Sequence, residues 1–292
     1  MKRLHMARRV AASMFAVCVL ALGGCAKQQP AQMGRFDTPE AAVEAFVDAL
    51  RMNDRAALRG ILGPEADALL DPGDEVQAAR EREVFLHAFD QHHELVGNQP
   101  DRMTLEVGAV NWPLPIPLVR RDGRWQFDAA SGAEELVLRR IGRNELAAID
   151  VCHGVVAAQL EYEAENGAYA TKVLSDPGKH NGLYWETAEG EETSPAGPLL
   201  ALAAAEGYEV GKKPTPYHGY YYRSVPAASG DDARKGYALV AYPAEYGASG
   251  VMTFFVNQDG MIYQSDLGED SAAKARALRG FSIGDGWSPA DS

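Results

Sequence analysis

The sequence predicts an α+β protein of two domains, and three observations carry the prediction. Between Thr38 and about His92, apolar side chains return at three- and four-residue steps, the period of helices packed on one face. From Met103 the period falls to two, the mark of half-buried strands. That order then repeats: a long one-sided helical stretch over residues 144–165 is followed, after Tyr220, by four runs of strand character. With 292 residues, 46% of them apolar, the chain can fill two cores.

Residues 1–24 stand outside that fold. Lys2, Arg3, Arg8 and Arg9 make a positive leader, and residues 10–22 a short apolar run. This run is too brief to span a bilayer, for which a helix needs about 20 residues, so the segment reads as a secretory signal peptide. Its end, Leu22-Gly23-Gly24-Cys25, resembles the lipobox of bacterial lipoproteins. The resemblance implies a diacylglyceryl group on the Cys25 thiol, cleavage before Cys25, and acylation of the new amino terminus. Two or more acyl chains give stable membrane attachment where one is marginal. Ala26 stands where the lipoprotein pattern puts Asp for inner-membrane retention, so the implied location is the outer membrane, facing the periplasm. The plainer alternative is an ordinary secreted protein with a cysteine at its cleavage site. Residues 25–35 read as a polar tether.

Charge excludes one class of partner. Removing residues 1–24 takes four basic and no acidic groups from a net charge of −13, leaving −17. Nucleic acids and anionic lipid surfaces both need a positive footprint, which this balance does not supply. After processing Cys152 is the remaining free cysteine, and it reads as a small apolar core residue.

The first domain, residues 36–130, opens with Thr38 placed to cap and Pro39 at the first helical position. Val43, Phe46, Val47 and Leu50 form the inner face of that helix. Asn53-Asp54 breaks it and caps a second helix, which stops at Gly63-Pro64. Asp74, with Gln77 three residues on, predicts a capping box for a third helix through about His92. Leu105, Val107 and Ala109 then alternate along a strand. In the run from Trp112 to Leu118 every second residue is proline, so it reads as an edge strand or a polyproline-like segment. Arg121-Asp122-Gly123-Arg124 is a hairpin turn that returns through Trp125 and Phe127. Helices followed by a small antiparallel sheet with this Gly-Arg-Trp-x-Phe strand resemble the cone-shaped fold of the nuclear-transport-factor-2-like group, over residues 36–128.

The second domain, residues 131–292, begins with Ser131 and Glu134 as a capping box for a helix over residues 134–141 that ends at Gly142. Within residues 144–165, Leu146, Ile149, Cys152, Val155, Val156 and Leu160 make an apolar seam, and Asn166-Gly167 supplies a left-handed stop. Residues 220–225, 236–242, 251–256 and 260–264 read as strands, with a hairpin turn at residues 257–260. Residues 175–219 form a long loop, with one short helix near residues 198–205. Asn144-Glu145 with Ala158-Gln159-x-x-Tyr162, then Gly219-Tyr220-Tyr221-Tyr222, then Tyr237-x-Leu-x-Ala-x-Pro243 and Thr253-Phe254-Phe255-Val256, resemble the globular head of type IV pilins and pseudopilins. The head's apolar stem is missing, because Arg139, Arg140 and Arg143 occupy the upstream turns.

Taken whole, the chain resembles the bacterial family catalogued as domain of unknown function 2950. Residues 112–123, Arg140-Ile141-Gly142-Arg143-Asn144-Glu145, residues 177–185, Ser194-Pro195-x-Gly197-Pro198 and Pro216-Tyr217-His218-Gly219-Tyr220 carry that resemblance. It implies no reaction, cofactor or catalytic residue.

Candidate sites are few. Glu83, His87 and Asp90, with His92 and His93 beyond them, have the spacing of ligands on one helix face. A His-rich helix end also complements the helix dipole. Cys152 and His153 are adjacent on a helix and therefore point about 100° apart, which excludes a nucleophile–base contact between them. Gly247-Ala248-Ser249-Gly250 lacks the last glycine of a nucleophile elbow and precedes a strand, so it reads as a turn. Asn257, Asp259 and nearby Asp266, Glu269 and Asp270 suggest calcium, but the endpoint of an EF-hand loop falls at Gly268. The leading candidate surface is Lys179, His180, Tyr184, Trp185, Tyr217, His218 and Arg223, where aromatic and cationic groups concentrate as a glycan or peptide surface requires. The competing reading places these aromatics in packing beneath the central helix.

The expectation is therefore a non-catalytic, lipid-anchored envelope protein, without a cofactor, that binds an envelope protein or glycan. The first alternative is an enzyme or small-ligand binder with a pocket in the first domain's cone. The second is an accessory component of a pilus or secretion system.

Overall fold

A computed structural model describes residues 34–63, 67–187, 193–209, 214–226, 236–278 and 286–290, all within one compact unit, Ala31–Ser292. The leader, Cys25 and all but the last two residues of the tether lie outside the described residues.

Among the described residues the chain is α+β, with two antiparallel sheets. Helices α1 (Pro39–Arg51), α2 (Arg55–Leu62), α3 (Asp67–Leu70) and α4 (Glu75–Gln91) come first. Their starts follow from side chains that satisfy orphan N–H groups. Thr38 Oγ1 accepts from Ala41 N at 3.1 Å, Asp54 from Ala57 N at 2.9 Å, and Asp74 from Gln77 N at 3.0 Å. Helix α4 stops at Gln91: His92 is already extended, and His93 opens a strand instead of extending the helix tail.

That strand, β1 (His93–Gln99), pairs with β2 (Arg102–Val107). Strand β3 (Trp112–Pro113) and β4 (Leu118–Arg121) share the other edge of β2, and β5 (Arg124–Phe127) closes the sheet beside β4. Asp122 and Gly123 both take positive φ, 51° and 77°, as a two-residue hairpin turn requires. Along the run into β4 the alternating prolines turn progressively inward: Pro113 is exposed, Pro115 half-buried and Pro117 buried. Leu114 and Ile116 are buried, Leu114 N donates to Leu105 O, and Pro117 O accepts from Asp128 N. Pro115 and Pro117 ask for no N–H partner, so the run enters the core without an orphaned donor at either position. The first core gathers Phe46, Val47, Leu105, Ile116, Leu118 and Phe127 from helices and sheet.

Helix α5 is one element, Ala129–Asn166, and passes through Gly142 without a break. It begins before the expected Ser131–Glu134 box: Ser131 lies inside the helix and its hydroxyl donates to Asp128 Oδ2 at 2.6 Å. The expected boundary at residues 130/131 therefore falls in the first turn of this helix. Gly132 lies so close to Pro115 O that a Cβ would sit 2.1 Å from it. At the far end Gly167, with φ 63°, supplies the left-handed stop.

The buried seam of α5 is rotated from the expected one. Ala148, Cys152, Val155, Ala158 and Tyr162 face the sheet, while Leu146 and Leu160 are exposed. Small residues at Ala148, Cys152 and Ala158 let the helix approach bulky Tyr220 and Phe254 on the sheet, so volume matching outweighs hydrophobicity. Helix α6 (Gly197–Ala205) places Leu199 over Gly154. The second sheet runs β10 (Ser288–Pro289), β9 (Ile262–Asp266), β8 (Met252–Asn257), β7 (Tyr237–Pro243), β6 (Tyr220–Pro226). Its other face packs on α7 (Ser271–Ala277), Leu278 and Trp287. No helix among the described residues is long and apolar enough to cross a membrane.

Candidate functional site

A concavity lies in the first half of the chain, between α1 and the β1–β2 pair. It is an open groove of about 620 Å³. Val43, Val47, Phe89, Leu95 and Leu105 form its apolar floor, and its rim carries Glu40, Glu44, Asp48, Arg51, His93 and Glu94. The sequence explains both layers. Val43 and Val47 face inward one turn apart on α1, and Glu40, Glu44 and Asp48 repeat every four residues on the neighbouring, exposed stripe. On the opposite wall Leu95 points into the core and Glu94 away from it, the alternation of a strand.

Charges on this rim are unevenly matched. Arg51 is held 2.6 Å from Asp90 and 3.7 Å from Asp48. Glu40, Glu44 and Glu94 make no ion pair among the described residues. His93 stacks on Phe89 with ring centroids 3.8 Å apart, and its Nδ1 lies 2.9 Å from Phe89 O, which fixes one end wall. Of the expected helix-tail ligands, Asp90 is tied to Arg51 and His87 to Gln91, 3.0 Å away. Among the described residues no group of three His, Cys, Asp or Glu side chains could hold a metal ion.

The aromatic and cationic residues singled out in the second half fall into three separate settings. His180 stacks on Trp185, centroids 4.1 Å apart, while Tyr184 and Trp185 rest on the core beneath α5. Lys179, beside them, is exposed and lies 3.6 Å from Asp176. Hydrogen bonds from Lys172 and Asn181 hold the exposed Asp176 carboxyl down at about 2 and so pin this loop. Tyr217 and His218 sit elsewhere, with Tyr208 and Glu206. His218 Nε2 lies 3.0 Å from Glu206 Oε2, and Arg80 of α4 lies 3.1 Å from Oε1. Burial, then the Glu206 carboxylate, pushes the Tyr217 phenol up to about 12. Arg223 points to the other face of the sheet, because side chains alternate along β6, and it donates to the carbonyls of Ala275 and Leu278.

Tyr217 and His218 border a buried polar hub that the sequence did not disclose. Asp74, 1% exposed, accepts from Gln77 N, from the Tyr208 hydroxyl at 2.9 Å and from Gly219 N at 2.9 Å. Gln77 Nε2 donates to Asn144 Oδ1, and Asn144 Nδ2 donates to Ser249 O. Glu145, the next residue on α5, accepts from Val251 N and Met252 N. Burial, then the Asp74 carboxylate, drives the Tyr208 phenol well above its ordinary range. Gly219 has φ 73°, and a Cβ there would lie 2.4 Å from Asn144 Nδ2, so the position demands glycine. The only local signal for this hub was the Asp74–Gln77 cap.

Other candidate chemistry resolves into structure. Cys152 is fully buried against the sheet and His153 is exposed on the other side of the helix. Ser249 is buried, and its hydroxyl and carbonyl are engaged by Glu245 and Asn144. Asn257 and Asp259 bond to one another across their hairpin turn.

The family described as "Protein of unknown function (DUF2950)" matches this chain over residues 33–290. No curated protein and no solved structure gives a significant match.

Proposed function

The chain belongs to that family, and from this premise we propose that it is a non-catalytic, lipid-anchored protein of the bacterial envelope that binds a small ligand in the α1–β1 groove. The groove is the observation that carries the reading. Its volume lies within the range usual for ligand sites, and it pairs an apolar floor with a few polar groups at the rim. The first half, with helices and an antiparallel sheet sharing one core, fits a nuclear-transport-factor-2-like cone, and the second, with a long helix on an antiparallel sheet, fits a pilin-type head reused for its shape. Because the first half of α5 packs on the first core, the head lacks the free stem that filament assembly uses.

A neutral apolar dye, N-phenyl-1-naphthylamine, tests the groove. Its fluorescence is expected to rise on binding and to lose that rise in Leu95→Trp, whose indole fills the floor, at an unchanged melting temperature. Equal dye binding by both proteins would remove the groove as a site. Anchoring rests on the Cys25 lipobox: radiolabelled palmitate and membrane fractionation should both be lost in Cys25→Ser. A Cys25→Ser chain that still fractionates with the outer membrane would refute a lipid anchor. The outward His180–Trp185 stack offers a second contact for an envelope protein or glycan, which Trp185→Ala would weaken without unfolding the chain.

A further inference from the structure

Helix α5 carries more apolar surface than its own sheet uses. Leu138, Leu146 and Leu160 are 59%, 66% and 50% exposed. With exposed Gly142 and His153 and half-buried Ile149 and Val156, they recur at steps of three and four residues along one stripe beside the inward seam. From this stripe we infer that α5 is the interface of a homodimer, in which a second copy of the chain lays its own α5 antiparallel against it across a two-fold axis.

The stripe is complementary to itself when reversed. Ile149 lies at its midpoint, on the axis. Leu138 then meets the partner's Leu160, Gly142 the partner's Val156, and Leu146 the partner's His153, each pair matched to within one residue, or about 1.5 Å of helix rise. Gly142 adds an observation independent of hydrophobicity. Glycine inside a helix is destabilising relative to alanine, and among the described residues nothing beyond its own helix comes within 4 Å of a Cβ placed there. Packing within the chain gives no reason for this glycine. A second helix does, because the branched Val156 side chain enters the hole that glycine leaves.

Charge sets the direction of the pair. Arg139 and Arg143 flank the stripe near its start, and Asp150 and Glu161 flank the same side further on. The two-fold lays this flank beside its own reverse, so Arg139 comes opposite the partner's Glu161 and Arg143 within reach of the partner's Asp150. Both arginines are paired at the surface with Glu135 and Glu81, contacts that exposed charges exchange at little cost. A parallel pair would instead set arginine on arginine and glutamate on glutamate. A lipid surface fits less well. Helices that lie on membranes carry Lys and Arg on their polar face, whereas exposed Asp150, Glu161 and Glu165 make the second half of this one acidic.

Disulfide trapping in the purified full chain tests the register. Leu146→Cys and His153→Cys replace two exposed side chains that lie two turns apart on one helix, about 10 Å, too far for a bridge within the chain. Under mild oxidation with copper–phenanthroline the double variant should give a covalent dimer. Its yield should exceed that of either single variant by at least about tenfold, because each cysteine faces the other position of its partner and not its own. Buried Cys152 gives the parent no such product. Adding Leu138→Glu/Leu160→Glu should cut the yield about tenfold at an unchanged melting temperature, since both side chains are exposed. Sedimentation equilibrium of the parent should show monomer and dimer and nothing larger, because an isologous contact closes on itself. Single variants that cross-link as well as the double, or a double variant that stays monomeric, would overturn the antiparallel pair, and neither result depends on how the glutamate variant folds. Unchanged trapping in a folded glutamate variant would remove the stripe as its basis. Protection of Leu146→Cys from a thiol reagent by phosphatidylethanolamine vesicles, but not by rising protein concentration, would assign the stripe to lipid and refute the dimer.

Discussion

Replacing Asp74 by alanine should be among the most damaging single changes in the chain. The carboxylate caps α4 and accepts from two buried donors on the far side of the hub, the Tyr208 hydroxyl and Gly219 N. Loss of the cap costs about 1 kcal/mol. Each donor left buried without a partner costs a further ~1–3 kcal/mol. The total is roughly 3–7 kcal/mol, against a usual stability of about 5–15 kcal/mol. At ~2–4 °C per kcal/mol for a chain of this size, the melting temperature should fall by at least about 6 °C. Urea unfolding of wild type, Asp74→Ala, Tyr208→Phe and the double variant measures the loss and its origin. Removing the hydroxyl should cost less once Asp74 is gone, with a coupling of about 1–3 kcal/mol between the two sites. A loss under about 1 kcal/mol in Asp74→Ala, with no coupling to Tyr208, would refute the hub as a structural joint.

Further tests reach other parts of the same framework. Gly219→Ala combines positive φ with a collision at Asn144, so calorimetry should show a destabilisation of at least ~1–3 kcal/mol, whereas exposed Gly142→Ala, inside α5, should hold or raise the melting temperature. Burial raises Tyr208, Tyr217, Tyr220 and Tyr237, so the unfolded chain releases these protons before the folded one does. The stability they contribute is complete below about pH 10 and drains away as pH rises toward 12, where Tyr217 ionises. The urea midpoint should fall between pH 10 and 11.5 as absorbance at 295 nm rises with unfolding; a flat midpoint would contradict this. Cys152 should resist a thiol reagent in native buffer and react fully in urea, and rapid native labelling would show that α5 lifts from the sheet.

Legibility in the sequence tracked distance along the chain. The caps at Thr38, Asp54 and Asp74, the turn at Asp122-Gly123 and the stop at Gly167 depend on four or five consecutive residues, and all five are found where the pattern predicts them. Strand β1 was illegible because it is an edge with polar His93 and Glu94 and only Leu95 and Val96 to suggest a strand. The seam of α5 misled because Leu146 and Leu160 are more apolar than Ala148 and Ala158, yet only the small residues fit against Tyr220 and Phe254. The hub joins Asp74 to Gly219 across 145 residues, and no local pattern announces such a pair. The groove was half legible. Val43 and Val47 were recognised as an inner face, but nothing in the sequence says that Leu95 lines the same groove.

Helix α5 also bears on how the protein responds to its surroundings. At 38 residues it is a rod of about 57 Å, embedded at one end among Ala129 and Leu136 of the first core and at the other among Cys152 and Tyr162 of the second. Neither end can let go without fraying a helix on which the other depends. Energy gained by a ligand in the groove is therefore felt by strands that never touch it, and hydrogen exchange in β7 and β8 should slow when the groove fills. In such an arrangement the second half of the chain acts as a reporter of the first.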